Sequence, residues 1–219
     1  MFDTILFDLD GTLVNSAKGI TEAVRYALES MGYPPLPYET REKFIGPSIR
    51  SSFQKYCGAS EEEAEALLRA YRVYYAEKGL HETEPYPGIR ELLERLREAG
   101  KRLFVATAKP TAYSRTILEE WELDGYFEEI VGASFDKKAE TKDKIIALAV
   151  SMAESDSILM VGDTIFDVEG ARANGLPTLG VLYGFGDHDA LRAMQPEYLV
   201  ETVEEIGELL CSSTSITLP

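Results

Sequence analysis

Asp8 and Asp10 are separated by one residue, follow the apolar run Ile5-Leu6-Phe7, and lead straight into Gly11-Thr12. The apolar run predicts a strand buried on both faces. Residues two apart in a strand project to one side, so the two acids are crowded at the carboxyl edge of a sheet. That edge is where open α/β sheets place their ligands. Two anions there repel each other, and a cation or a shared proton relieves the repulsion. Mg²⁺ suits the site because it takes oxygen ligands from one or two carboxylates together with a phosphate. Taken alone, the pair reads equally as a turn, since Asp before Gly is common there.

Later strand ends repeat the pattern. Leu103–Ala106 runs into Thr107-Ala108-Lys109-Pro110, where a hydroxyl and the backbone N–H groups of the next turn can donate to phosphate oxygens. A Thr107 that merely opens a turn would look the same. The strand 157–161 runs into Gly162-Asp163-Thr164-Ile165-Phe166-Asp167. Asp163 falls at the sheet edge and Asp167 one helical turn later; an N-capping Asp163 with a solvated Asp167 is the plain alternative. Lys142 opens a helix, where a cation opposes the macrodipole and calls for a compensating anion. Lys144 competes for that role, and Lys137 and Lys138 lie close by.

The elements that position these residues follow from periodicity. Ile20, Ala23, Val24, Ala27, Leu28 and Met31 repeat at helical spacing up to Gly32, a suitable C′ residue. Short helices are expected at 38–45 and 48–57, around Gly46-Pro47. Ser60 and Glu63 form a capping box for a helix whose apolar face carries Ala64, Leu67, Leu68, Tyr71, Tyr74 and Tyr75. Residues 15–83 are therefore expected as an all-helical insert. Beyond Pro87-Gly88, helices near 89–99, 111–120, 142–152, 165–173, 187–193 and after the capping box Thr202…Glu205 alternate with strands at 103–106, 130–131, 157–161, 178–181 and 198–200. Such alternation predicts a doubly wound parallel sheet with helices on both faces, built from residues 1–14 and 84–211. Residues 212–219 read as a frayed tail.

Bulk properties narrow the function. The chain has 219 residues, 45% hydrophobic, with 38 acidic against 22 basic side chains and a formal net charge of −16. That sign disfavours nucleic acid but leaves a small anion free to respond to its local pocket. No run reaches the roughly 18–20 apolar residues of a membrane span, and Met1 leads directly into the first strand without a signal peptide. Cys57 and Cys211 lack metal-ligand spacing, consistent with a reduced cytoplasmic protein. Neither state, monomer or homodimer, is favoured.

Together, Asp8-Leu9-Asp10-Gly11-Thr12, Thr107, Lys142 and Gly162-Asp163-x-x-x-Asp167 resemble, in order and strand-end placement, the motifs of the haloacid dehalogenase superfamily of phosphohydrolases. The helical insert looks like that superfamily's small helical cap on a Rossmann-like core. Phe44-Ile45-Gly46-Pro47 and Ala106-Thr107-Ala108-Lys109-Pro110 are most similar to the phosphoglycolate phosphatase-like group. The stretch Lys142-Asp143-Lys144 departs from the Lys-Pro-x-Pro wording of many relatives. The resemblance implies a Mg²⁺-dependent phosphomonoester hydrolase with Asp8 as nucleophile and Asp10 as general acid and base. Asp8, the backbone carbonyl of Asp10, and Asp163 would hold the metal. Thr107 and Lys142 would bind the transferring oxygens, with Asp167 orienting Lys142 or a water.

By the same resemblance, Gly11, Thr12, Ala108 and Lys109 are expected to line the substrate site, with Gly46 and Arg50 of the cap, near Ser48 and Ile49. For its first step Asp10 must hold a proton, so neighbouring anions are expected to raise its pKa. Dehalogenases, phosphonatases and cation-pump ATPases of this superfamily lack an Asp at the place of Asp10, and capped sugar-phosphate mutases carry a His in the first cap helix. Here the histidines are His81 and His188. Phosphoglycolate, a nucleoside 5′-monophosphate, pyrophosphate and a small sugar phosphate all remain open as substrates, as does a catalytically silent phosphate-binding protein.

Overall fold

The computed structural model describes residues 2–134 and 141–211. The expected tail 212–219 and the lysines 137 and 138 lie outside the described residues. In chain order the strands are β1 (Thr4–Phe7), β2 (Val14–Asn15), β3 (Glu84–Pro85), β4 (Arg102–Pro110), β5 (Glu129–Ala133), β6 (Ile158–Gly162), β7 (Thr178–Val181) and β8 (Tyr198–Val200). The α-helices are α1 (Ala17–Ser30), α2 (Tyr38–Glu42), α3 (Ile49–Cys57), α4 (Glu61–Glu77), α5 (Ile89–Glu98), α6 (Thr111–Glu120), α7 (Lys142–Ala153), α8 (Ile165–Ala173), α9 (His188–Ala193) and α10 (Val203–Cys211).

Six strands form a parallel sheet in the order β5-β4-β1-β6-β7-β8. The period-2 geometry of a strand sends alternate residues to opposite faces, and the two apolar layers follow it. Ile5 and Phe7 join Leu103, Val105, Leu159 and Val161 under α5, α6 and α10. Leu6 joins Phe104, Ala106 and Met160 under α7 and α8. Ile5, Leu6 and Phe7 are fully buried, each worth roughly 1.5–3 kcal/mol over an exposed side chain. A strand covered on both faces anchors firmly, which fixes the height of whatever follows it.

Helices α1 to α4 leave the sheet between β2 and β3, and α1 packs on α2 and α4, with α3 on α4. The capping box at Ser60 is formed, and Gly32 follows the C-cap of α1 with φ +70°. Four local expectations change. Val14–Asn15 and Glu84–Pro85 pair as an antiparallel ribbon at the two entrances to the helical segment, too short for a periodicity signal. Helix α2 stops at Glu42 instead of 45. Strand β4 runs on to Pro110 through an irregular register on β5, so Thr107, Ala108 and Lys109 belong to a strand end and not to a turn. At α10, Thr202 Oγ1 accepts from Glu205 N at 3.3 Å, but the Glu205 carboxylate accepts from Glu201 N, so the expected box is half formed.

Candidate active site

Phe7 of β1 is in register with Val161 of β6 and with Val105 of β4. Asp8, Asp163 and Thr107 therefore emerge from three adjacent strands at one edge. Asp8 N donates to Val161 O at 2.9 Å, which holds the backbone at that level. Carboxylate oxygens of Asp8, Asp163 and Asp167 lie within 4.8 Å of one another, and all three residues are buried. Asp167 reaches the group from α8, where it also closes a capping box: its Oδ2 accepts from Thr164 N at 3.0 Å and Thr164 Oγ1 at 2.8 Å. The N-cap is thus Thr164, and Asp163 is left for the cluster.

Lys142, the first residue of α7, sends its ammonium between two of the acids. Its Nζ is 2.8 Å from Asp8 Oδ1 and 2.7 Å from Asp167 Oδ1. These two anions outweigh the unfavourable position of a cation at a helix start. Lys144 is exposed, so Lys142 fills the place. Lys109 makes the second ion pair, with Nζ 2.8 Å from both oxygens of Asp10. The neighbour that engages Asp10 is therefore a cation, where crowding by anions was expected. Four carboxylates face two ammonium groups at this edge, an excess of two negative charges. A hard divalent cation fits such an oxygen-rich set.

Burial is the main electrostatic fact. It raises the Asp8 carboxyl to about 6, with Lys142 pulling it down and Asp167 adding to the rise. Burial raises Asp163 well above the usual range, helped by Asp167 and Asp8 and opposed by N–H donation from Phe185 and Gly186. Desolvation disfavours the Lys142 ammonium, but Asp167 and Asp8 more than offset it and its pKa rises. The Asp8 and Asp163 carboxylates thus resist ionising until a cation balances them.

The family model for haloacid dehalogenase-like hydrolases matches residues 5–181. The chain belongs to this family. A 5′-nucleotidase of Pseudomonas aeruginosa is 36% identical, with 95% of this chain and 96% of that protein covered. Tyrosine-protein kinase PtkA of Mycobacterium tuberculosis is 35% identical over 94% of this chain and 72% of its own length. A phosphoglycolate phosphatase of Caulobacter vibrioides is 32% identical over 99% of this chain and 89% of its own. Among solved structures, a "predicted phosphatase" from Clostridium acetobutylicum superposes with a TM-score of 0.91 at 40% identity, covering 96% of this chain and 98% of that one. The phosphoglycolate phosphatase-like group is the part of the family this hydrolase resembles.

The remaining expected residues of this hydrolase are placed as follows. Gly11 sits at φ +83°, and a Cβ there would stand 2.2 Å from Asp163 Oδ2, so close approach and backbone conformation both demand glycine. Thr12 Oγ1 lies 3.5 Å from Asp163 Oδ1, on the acid and not on an open face. Thr107 is buried and accepts from Lys109 N at 3.3 Å, while Ala108 is exposed. A Cβ at Gly46 would stand 3.4 Å from Thr164 Cγ2, which brings the loop after α2 against the start of α8. Arg50 pairs instead with Glu61 of α4 at 3.7 Å. His81 pairs with Glu120 at 2.9 Å on the surface. Cavities of about 260 and 330 Å³ lie beside Tyr86 and Trp121, and beside Arg50 and Glu65; none of the four aspartates lines either.

Sequence reasoning missed the loop after β7. Phe185 N and Gly186 N donate to Asp163 Oδ2 at 2.8 and 3.2 Å, and Tyr183 Oη donates to Thr12 O at 2.8 Å. Its signal was present: Gly184-Phe185-Gly186 closely follows a buried strand, and a Cβ at Gly184 would stand 2.4 Å from Asp163 Cβ.

Proposed function

We infer that the protein is a Mg²⁺-dependent phosphomonoester hydrolase that acts on a small phosphorylated metabolite through an aspartyl-phosphate on Asp8. The observation that carries this reading is the buried Asp8 carboxylate at the sheet edge, 2.8 Å from Lys142 and grouped with Asp163 and Asp167. Asp8, the backbone carbonyl of Asp10, and Asp163 would hold the metal. When bound, the cation supplies charge neutralisation for the carboxylates and the phosphoryl group.

Asp8 attacks phosphorus while the bond from phosphorus to the ester oxygen breaks, and that oxygen takes a proton from Asp10. Water then attacks the phosphoryl group: its oxygen bonds to phosphorus, the Asp8–phosphorus bond breaks, and the water proton passes to Asp10. Lys142 and Thr107 donate to the transferring oxygens, while Asp167 keeps the Lys142 ammonium in place. Helices α1 to α4, residues 15–83, act as a cap over this edge. Support for that role comes from the approach of Gly46 to Thr164 and of Tyr75 to Lys109.

Phosphoglycolate is the first substrate to test, given the resemblance to that group. A nucleoside 5′-monophosphate is the second, because the 5′-nucleotidase relative matches at 36% across nearly the whole chain. Phosphate release from both, and from p-nitrophenyl phosphate and pyrophosphate, is measured with Mg²⁺ and with chelator. Release that depends on Mg²⁺ and disappears in Asp8→Asn is expected, with the fold intact by circular dichroism. Undiminished release in Asp8→Asn would overturn the nucleophile assignment. Transfer from ATP to tyrosine without ester hydrolysis would overturn the hydrolase reading itself.

A further inference from the structure

We propose that Lys109 is a positioning residue for Asp10, and that Tyr75 of α4 completes the pair by covering the Lys109 ammonium. The inference rests on the hydrolase reading above, in which Asp10 moves the proton of the attacking water.

Asp10 emerges from the β1 edge with Asp8, yet its carboxylate is not one of the three that cluster within 4.8 Å. Lys109 Nζ instead stands 2.8 Å from each of its oxygens. A carboxylate held through both oxygens loses rotation about its last bond, so the direction of its lone pairs is set. The two side chains are 5% and 12% exposed, and water competes little for either charge. The ring of Tyr75 lies 4.9 Å from the ammonium, in the range where a cation gains from an aromatic face, more so when desolvated. Tyr75 is itself 1% exposed and stacks on Tyr71 of the same helix and against Tyr113 of α6.

The chain of contact runs from the cap helix through Tyr75 to Lys109, and from Lys109 to Asp10. Lys109 is anchored in β4, two residues beyond Thr107, and Tyr75 is anchored in α4. The helical segment, seated on the sheet, thus covers the pair that aims Asp10. By contrast, Asp8 is steadied by Lys142, which Asp167 holds in turn, and both lie outside that segment. Lys109 thus belongs to the proton-transfer half of the cycle and not to phosphate binding.

p-Nitrophenyl phosphate separates the halves, because its phenolate leaves without a proton and only the water step then needs Asp10. In Lys109→Met the expected result is a first-turnover burst of p-nitrophenolate near one equivalent, followed by a steady state slowed about 100-fold, the size of a general-base contribution. KM falls together with kcat and kcat/KM changes little, since kcat/KM reports the steps up to phosphoenzyme formation. Lys109→Arg, which keeps the charge, recovers much of kcat. An unchanged kcat, or a kcat/KM that falls with kcat while the burst is lost, would overturn the proposal. If circular dichroism shows Lys109→Met unfolded, Tyr75→Leu is measured, which keeps both charges; a smaller version of the same split supports the proposal, and an unchanged kcat overturns it. Absence of phosphate release by the unsubstituted protein would instead defeat the hydrolase reading, so the two failures are distinct.

Discussion

The two acid–lysine pairs at the sheet edge are built differently. Asp8 and Lys142 come from β1 and α7, with Asp167 from α8 as third member, so the pair is complete within the elements that flank the sheet. Asp10 and Lys109 also come from the sheet, but the cover over their ammonium comes from α4. Groups that meet phosphorus need fixed positions throughout the cycle, and a strand buried on both faces supplies that. In the proposed mechanism Asp10 delivers and then removes a proton, so it has to be shielded at one moment and reachable by water at another. A cover on a separate helical segment would meet both needs.

Removing the ammonium beside Asp8 should have the largest effect. Lys142→Met is expected to lower kcat/KM by roughly 100- to 1000-fold, the cost of deleting one transition-state donor, and to show no first-turnover burst. That outcome is opposite in kind to the one expected for Lys109→Met. A burst in Lys142→Met would erase the distinction between the pairs.

Gly11 offers a second test on the same side. Gly11→Ala places a methyl against the Asp163 carboxylate and forces a positive φ, and should cost about 2–4 kcal/mol in denaturant unfolding. It should also weaken the stabilisation by added Mg²⁺, because Asp163 must shift. A loss under 1 kcal/mol would mean that the edge yields more easily than its packing implies.

The smallest effect is a pH dependence. In metal-free protein burial raises the folded Asp8 carboxyl to about 6 from its ordinary 3.8. Between these values the folded state holds a proton that the unfolded state has released, so stability is present at low pH and declines as pH rises through about 6. Unfolding in chelator at pH 4.5 and pH 7 should differ by on the order of 2 kcal/mol from this group. The difference should shrink in Asp8→Asn, which has no such proton, and reverse when Mg²⁺ at neutral pH favours the ionised cluster. A slope unaltered by Asp8→Asn would assign it to other carboxylates.

Much of the fold was legible because its signals are local. The run Ile5–Phe7 and the alternation beyond residue 88 follow from periods of 2 and 3.6, and capping chemistry at Ser60 sets a helix start. Asp8, Asp10 and Asp163 could be named because each stands where a buried strand ends, and Asp167 because it follows one helical turn later. What stayed hidden depends on distance in the chain. The ribbon of β2 and β3 joins residues about 70 apart, with two residues on each side and no pattern to display. Arg50 carries no local sign of its pairing with Glu61 of the next helix.

The sequence by itself determined that carboxylates would be stranded at a sheet edge and that a lysine would open α7, because hydrophobic period and charge are properties of neighbours along the chain. Only the tertiary structure decided which cation meets which acid. Lys109 goes to Asp10, Lys142 to Asp8 and Asp167, and the loop after β7 to Asp163. Pairing across such separations is set by strand order and register, since a Coulomb interaction depends on distance in space and carries no mark in the local pattern of residues.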